Sequence, residues 1–322
     1  MKTATCPLCG SDKYHILFKA KDNRFGSPGE FTIVECNECG LRFTTPRPTE
    51  EELVLYYPDH YAPYQGRDVT KLKSHSRWQR IKEDIKKSPL GPLLIRLLYG
   101  HSRWMPNLPQ GVKVLDFGCS TGTFLNSLKD RGWNLHGVDM SGKAVNYAKE
   151  VLGLNVIRGT LEEIDFPSNH FDVVFAWHVL EHLLNPLRTL KEINRILKPN
   201  GYFIFAVPNA ASWEWRVFKN KWYDLDPPRH LFHYTSKTAS LFLQKADFRI
   251  ERIRYPANLL PVIGSIGCVL RERFGEIHVA IALINYPPHA GLIVKSLLLP
   301  LGYIPSLFKQ SGRIIVVARP VK

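Results

Sequence analysis

From residue 112 onward the chain alternates short apolar runs with amphipathic ones, and that alternation constrains the fold more than any other feature. VKVLDFGC reads as a buried strand, TFLNSLKDRG as a helix, NLHGVDM as a strand and KAVNYAKEVLG as a helix. NVIRG, FDVVFAWH and YFIFAVP read as further strands, the last preceded by the helix LRTLKEINRILKPNG with a glycine stop. Strand and helix in turn predict an α/β domain with a parallel, doubly wound, Rossmann-like sheet. Ligands of such sheets bind at the carboxyl ends of the strands.

The first of these ends carries Asp116-Phe-Gly118-Cys-Ser-Thr-Gly122. A dinucleotide fingerprint needs glycines at its first, third and sixth positions, and here the third is Ser120 and the sixth Thr123, which argues against a nicotinamide cofactor. What remains is a tight turn at Gly118 and Gly122, where backbone N–H groups can approach a carboxylate or phosphate at a helix N-terminus. Asp139 ends the second strand, where an acidic side chain can accept both hydroxyls of a ribose. Turn and acid together imply a nucleoside with an anionic tail.

Four of the six cysteines form two clusters, Cys6-x-x-Cys9-Gly and Cys36-x-x-Cys39-Gly. Each pair can offer two thiolates to one ion, and four sulfurs fill a tetrahedral zinc with no position left for substrate. KYHILFKA and FTIVECN read as strands flanking the turn DNRFGSPGE, so residues 1–45 are expected to form a zinc ribbon around a structural Zn2+. Residues 46–105 follow as a basic helical connector, opened by a capping box of Thr49 and Glu52. Tyr56, Tyr57, Tyr61 and Tyr64 are read as aromatic packing between domains rather than as groups reaching over an active site. The basic run from Arg67 to Arg103 is read as a solvated helix packed on its own domain, with a face on anionic lipid as the alternative.

A formal charge of +14 directs the chain toward anionic partners such as a nucleotide-linked substrate, nucleic acid or an acidic membrane surface. No aromatic RNA-binding signature accompanies it, so nucleic acid is not the expected partner. The opening MKTATCPLCG lacks the apolar stretch of a secretory signal, which predicts a cytoplasmic protein with reduced cysteines.

VLDFGCSTGTFL, GVDMS, GTLEEIDFP, FDVVFAWHVLEHLLNP, RILKPNGYFIFAVPN and DPPRHLFHYT together resemble the successive motifs of class I S-adenosylmethionine-dependent methyltransferases. They are similar in particular to the subgroup with an N-terminal cysteine cluster, common among enzymes of polysaccharide and sugar modification. The resemblance covers residues 1–65 and 112–255, and it implies a methyltransferase domain over 106–322. Its seven-stranded sheet would end in an antiparallel hairpin supplied by RIERIRYPA and GRIIVVARP. Carried onto this chain, it implies a cofactor site in which Asp116 and the turn from Gly118 to Gly122 hold the methionine part and Asp139 the ribose. Met140 and Leu161 would sandwich the adenine. Ser120 stands where the family has its second glycine.

FAWHVLEHLL places His178, Glu181 and His182 in the order H-x-x-E-H, also the inverted zinc-protease signature. A peptidase needs both histidines one turn apart within a helix, whereas FDVVFAW is a strand, with His178 at its end and Glu181 and His182 starting the next helix. Related quinone-biosynthesis O-methyltransferases bind a divalent metal through two carboxylates and a histidine at these positions, and here His178 replaces the first carboxylate. The expectation is that His178 borders the cofactor pocket, while Glu181 and His182 orient the helix start or the substrate, or are structural. In WYDLDPPRHLFHYT, His230 matches the base proposed for zinc-containing deoxysugar C-methyltransferases, with Arg229 where they carry an acidic neighbour; His233 or Tyr223 could assist it.

Residues 258–311 are apolar but broken by prolines, too short in each run to span a bilayer. They are expected to form a helical cap over the substrate or a dimer face, or to dip into an anionic membrane toward a lipid-linked glycan. The expected function is methyl transfer to a hydroxyl or carbon of a sugar or glycan precursor. The alternatives are a nucleic-acid-binding or RNA-modifying protein, a quinone or other small-molecule O-methyltransferase, and an idle partner that retains the cofactor fold.

Overall fold

The computed structural model describes residues 5–58, 61, 64, 105–285 and 292–322; the basic run from Arg67 to Arg103 lies outside them. Seven strands build the main sheet: β4 (Lys113–Phe117), β5 (Asn134–Asp139), β6 (Val156–Arg158), β7 (Phe171–Trp177), β8 (Leu197–Pro208), β10 (Phe248–Arg254) and β11 (Arg313–Pro320). Their order is β10-β11-β8-β7-β4-β5-β6, and only β11 runs against its neighbours. Val173, Val174, Phe175 and Ala176 of β7 are all fully buried, as a central parallel strand covered on both faces requires. Chain order reverses at β4, with β5 and β6 on one side and β7 and β8 on the other. That switch point opens a crevice at the carboxyl ends of β4 and β5.

Two helices depart from expectation. The segment 123–132 yields only one α-helical turn, Thr123–Asn126, and a 3-10 turn, Lys129–Arg131. The Ser127 hydroxyl donates back to the Phe124 carbonyl (2.6 Å), a local bond that competes with the helix. The helix Pro186–Ile196 ends before the glycine stop, because Leu197 already pairs with Phe171 and β8 begins there. Gly201 therefore lies inside β8.

The cysteine-bearing segment forms a second, antiparallel sheet from β1 (Tyr14–Ala20), β2 (Phe31–Cys36) and β3 (Arg42–Thr45). Its fourth strand comes from the far end of the sequence: β9 (Phe232–His233) pairs with β3 through Arg42↔His233 and Phe43↔Phe232. One apolar core runs from Leu8, Val34 and Phe43 through Phe232 into Val174 and Phe205. The ribbon is thus built into the larger domain.

Between β10 and β11 the chain forms helices Leu260–Phe274, His278–Ile284 and Leu292–Leu307. Among the described residues no helix is long and apolar enough to cross a membrane. The first of these helices packs on the segment carrying His230. Ser265 Oγ accepts the Tyr223 N–H at 2.9 Å, and a side chain at Gly264 would collide with the Tyr223 ring.

Candidate active site

β4 runs directly into Gly118, whose φ of +71° turns the chain sharply away from the sheet. The N–H groups of Gly118 and Cys119 both donate to the Val138 carbonyl, at 2.8 and 3.0 Å. Ser120 also adopts a left-handed φ, +52°, without being glycine. It is held there by Asp139, whose Oδ2 accepts the Ser120 N–H at 2.7 Å while Oδ1 accepts the Ser141 N–H at 2.9 Å. Burial pushes the Asp139 carboxyl above its ordinary value, and these two bonds oppose the rise. Glycine turn and acidic strand end, read separately in the sequence, are therefore one hydrogen-bonded unit.

The glycines serve packing more directly than ligand approach. A side chain at Gly118 would collide with Val179, and one at Gly122 would come within 2.5 Å of Leu154 and 3.2 Å of Ala148. The helix that follows is a single turn, too short for the expected anion-binding terminus. Asp116 lies on β4 at 2% exposure, beneath the turn. Met140 is 53% exposed beside Asp139, whereas Leu161 is fully buried in the core. The two thus differ in access, Met140 open to solvent and Leu161 packed inside.

His178 is the first residue after β7, as expected, with φ +59° and its N–H on the Ala206 carbonyl at 2.9 Å. Its Nδ1 lies 3.0 Å from Glu181 Oε1. Glu181 and His182 sit in the 3-10 turn Leu180–His182 instead of starting the helix, which opens later at Pro186 under an Asn185 cap. Burial pushes the Glu181 carboxyl up to about 8. Burial likewise pushes His182 down to about 4. The His182 Nδ1 donates to the Arg229 carbonyl at 3.0 Å, and the Tyr57 hydroxyl lies 3.0 Å from the same nitrogen.

His230 stands edge-on to His182, ring centroids 4.6 Å apart, and is 6% exposed. Its Nδ1 donates to the Asp224 carbonyl at 2.7 Å, which leaves the lone pair on Nε2, the tautomer a base requires. Burial first, and the neighbouring His182 next, hold its pKa well below the ordinary histidine value. The acidic neighbour missing at position 229 is supplied one turn earlier: Asp226 Oδ2 lies 3.9 Å from His230 Nε2. Arg229, fully buried, instead bonds Asp22 at 2.7 Å and Asp226 at 2.7 Å, and donates to the Tyr56 carbonyl at 2.9 Å.

The two expected helpers of His230 have other contacts. His233 Nε2 faces Thr44 Oγ1 at 3.1 Å inside the ribbon interface. The Tyr223 ring lies under Arg24, 4.4 Å away. The tyrosines pack as the sequence suggested: Tyr57, Tyr61 and Tyr64 lie on one another with centroids 5.0–5.9 Å apart, Tyr56 and Tyr61 meet Phe31 and Phe25 of the cysteine-bearing segment, and Tyr57 also reaches His182.

Among the described residues, two groups of side chains are compact enough for an ion. The ligand atoms of Glu181, His182 and His230 lie within 4.8 Å of one another, and burial raises the Glu181 carboxyl to about 8, so a cation there must displace its proton. The sulfurs of Cys6, Cys9, Cys36 and Cys39 also lie within 4.8 Å of one another, with Cys6–Cys39 and Cys9–Cys36 at 3.5 Å. A tetrahedral zinc with Zn–S near 2.3 Å spaces its sulfurs by about 3.8 Å, so this group fits. Gly10 and Gly40, with φ of +78° and +77°, return their N–H groups to the Cys6 and Cys36 carbonyls at 2.8 and 2.9 Å.

Asp224 and Asp226 were visible in WYDLDPPRH but carried no spacing signal. Asp22 and Thr44 lie about two hundred residues from their partners, beyond any local pattern.

The family model described as a methyltransferase domain matches residues 90–253, half of the chain. An uncharacterized protein of Methanocaldococcus jannaschii is 34% identical over 113 residues, 35% of this chain and 43% of that protein. The ubiquinone biosynthesis O-methyltransferase of Erwinia tasmaniensis is 27% identical over 147 residues, 44% of this chain and 59% of that enzyme. The alignments thus span about half the length of these curated relatives. A solved SAM-dependent methyltransferase from Archaeoglobus fulgidus covers 75% of this chain and 99% of its own at 18% identity, with a TM-score of 0.45. By its half-length family match, and with the sheet order and switch-point turn in place, the chain belongs to the methyltransferase domain family.

Proposed function

We propose that this chain transfers the methyl group of S-adenosylmethionine to a hydroxyl or carbon of a sugar or glycan precursor. The observation that carries the cofactor half is Asp139 bonded to Ser120 at the switch point of the sheet. This reading is supported by the bond between them: the acid that would take the ribose hydroxyls stands beside the turn that would face the methionine end. A sulfonium methyl is already activated, so holding the acceptor in line beside it supplies much of the rate. His230 Nε2 is the group positioned to take the acceptor's proton, and Asp226 stabilises the imidazolium that results.

Cys6, Cys9, Cys36 and Cys39 would hold a structural Zn2+, whose contribution is to lock the ribbon. A second reading, O-methylation of a quinone, is favoured by the name of the Erwinia relative. Calorimetry with S-adenosylhomocysteine tests the cofactor assignment. Binding to the wild type that is lost in Asp139→Ala supports it, and no heat with the wild type overturns it.

A further inference from the structure

Four buried polar atoms at one edge of the sheet have no hydrogen-bond partner: Glu181 Oε2, Glu214 Oε2, Asp224 Oδ2 and Arg313 Nε. They come from four segments. Glu181 follows β7, Glu214 follows β8, Arg313 opens β11, and Asp224 precedes His230 on the same loop. β7, β8 and β11 are neighbours, and the pairs Trp177↔Ala206 and Pro208↔Arg313 bring their relevant ends to one edge. That is the edge where the proposed cofactor crevice opens two strands away.

Each residue is anchored or placed by other contacts while its orphan atom is left over. Glu181 Oε1 meets His178 at 3.0 Å, Glu214 Oε1 accepts the Gly312 N–H at 3.1 Å, and the Asp224 carbonyl accepts from His230 at 2.7 Å. Glu181 and Glu214 are 0% and 1% exposed. Burying a polar atom without a partner costs its full desolvation, so native folds rarely keep several in one place. A ligand that completes these bonds explains why this fold keeps four.

The charge of the group selects the ligand. Burial pushes Glu181 to about 8, Glu214 to about 7 and Asp224 to about 6, while Arg313 lies close enough to Asp224 and Glu181 to temper both. At neutral pH Asp224 is therefore the main carboxylate near the Arg313 guanidinium, Glu181 is mostly protonated and Glu214 is about half so. A cation is opposed by Arg313 and an anion by Asp224. Donors and acceptors are both on offer, which suits hydroxyl groups, since each gives one hydrogen bond and accepts others.

We propose that Glu181, Glu214, Asp224 and Arg313 form the acceptor subsite, and that its ligand is an uncharged molecule bearing several neighbouring hydroxyls. This rests on the methyltransferase reading above and adds the residues that would recognise the acceptor. One hydroxyl donates to Asp224 Oδ2 and others accept from Arg313 Nε and from the protonated Glu181 carboxyl, while Glu214 Oε2 exchanges a hydrogen bond with a further hydroxyl and Glu181 Oε1 stays with His178.

Saturation-transfer NMR on the full-length protein tests it, with and without S-adenosylhomocysteine. The probes are methyl α-D-glucopyranoside, methyl α-L-rhamnopyranoside and myo-inositol, with glucosamine, glucose 1-phosphate and tetrahydropyran-2-methanol as cationic, anionic and hydroxyl-poor comparisons. The expected result is transfer to at least one neutral polyol in preference to the comparisons, weakened about tenfold or more in Asp224→Asn and Arg313→Met. S-Adenosylhomocysteine affinity, which also reports folding, should stay within about twofold. If either variant loses that affinity too, Glu214→Gln takes its place with the same expectation. No transfer to any neutral polyol, equal transfer in wild type and variants, or preference for a charged probe overturns the subsite. Wild-type protein that binds a polyol but no S-adenosylhomocysteine overturns the methyltransferase reading and leaves the subsite standing.

Discussion

The hydroxyl of Thr44 donates to the backbone carbonyl of His230 at 2.9 Å, and the Thr44 N–H donates to the Leu231 carbonyl at 3.0 Å. A residue of the cysteine-bearing sheet thus fixes the segment that carries the candidate base. With β9 completing that sheet, the ribbon packs directly on the segment that carries His230.

Thr44→Val should therefore affect more than stability. Thr44 is fully buried, and losing its hydroxyl leaves the His230 carbonyl without this partner, at a cost of about 1–2 kcal/mol. Methyl transfer should fall because His230 is less well held, with S-adenosylhomocysteine affinity unchanged, and Thr44→Ser should restore turnover. Denaturant unfolding and turnover on the same preparations separate the two effects; a drop in stability with full turnover would refute the positioning role.

Arg229 joins ribbon and domain through charge. Burial alone would raise Asp22 and Asp226, but the Arg229 guanidinium outweighs it and holds both below the usual carboxylate range. Because their folded values are depressed, this stabilisation is present above the unfolded value of about 3.9 and fades as pH falls through the folded ones. Arg229→Met leaves Asp22 without its ion-pair partner and Asp226 with Arg24 alone, a loss of about 3–5 kcal/mol at neutral pH. Urea unfolding at several pH values should show that deficit shrinking as the medium is acidified below about pH 4.

Glu181 has the opposite sign. Its folded value is raised by burial to about 8, so the folded chain keeps a proton that the unfolded chain releases near 4.5, and its contribution declines as pH rises between those values. Glu181→Gln keeps the shape without the acid. Its stability relative to wild type should improve steadily from pH 5 to pH 8, by about 1 kcal/mol or more. Thermal unfolding across that range checks it, and a difference independent of pH would show that Glu181 is ionised in the fold.

The sheet was legible because its signals are local. Apolar runs of strand length, a glycine turn and an acid at the next strand end all lie within about thirty residues of one another. The closing hairpin was legible only through the family resemblance, with RIERIRYPA and GRIIVVARP to supply it, because the helices 260–307 separate its two strands. What escaped were contacts that only the finished fold creates: Thr44 on His230, Arg229 on Asp22, and β9 on β3. The helix at 123–132 was overestimated because composition does not reveal that the Ser127 hydroxyl turns back on its own chain. His178 was placed correctly at a strand end, yet the turn after it was taken for a helix because Pro186 and Asn185, which mark the true start, lie four residues beyond Glu181 and His182 in the same apolar run.

The four-cysteine cluster should bind one zinc per chain. Chelation should lower the unfolding temperature by several degrees, because binding energy at such a site is folding energy. Since β3 anchors the His230 segment, the metal-free protein should also lose turnover at temperatures where it remains folded. Metal analysis of dialysed protein and of a Cys39→Ser variant checks the assignment, and wild-type protein free of zinc would remove it.

Gly118 gives a test of the cofactor turn that does not depend on the acceptor. Its left-handed φ makes alanine unfavourable by about 1 kcal/mol, and the added methyl would collide with Val179. Gly118→Ala should therefore cost about 2–4 kcal/mol and weaken S-adenosylhomocysteine binding, because relief of the collision pushes the turn away from Asp139. Val179→Ala removes the colliding methyl groups and leaves only its Cβ nearby. The double variant should recover the steric share of the loss and retain the strain of the left-handed backbone, a coupling of about 1 kcal/mol or more in a double-mutant cycle. Additive losses would mean that Val179 does not occupy the space above Gly118, and the packing explanation of this glycine would fall.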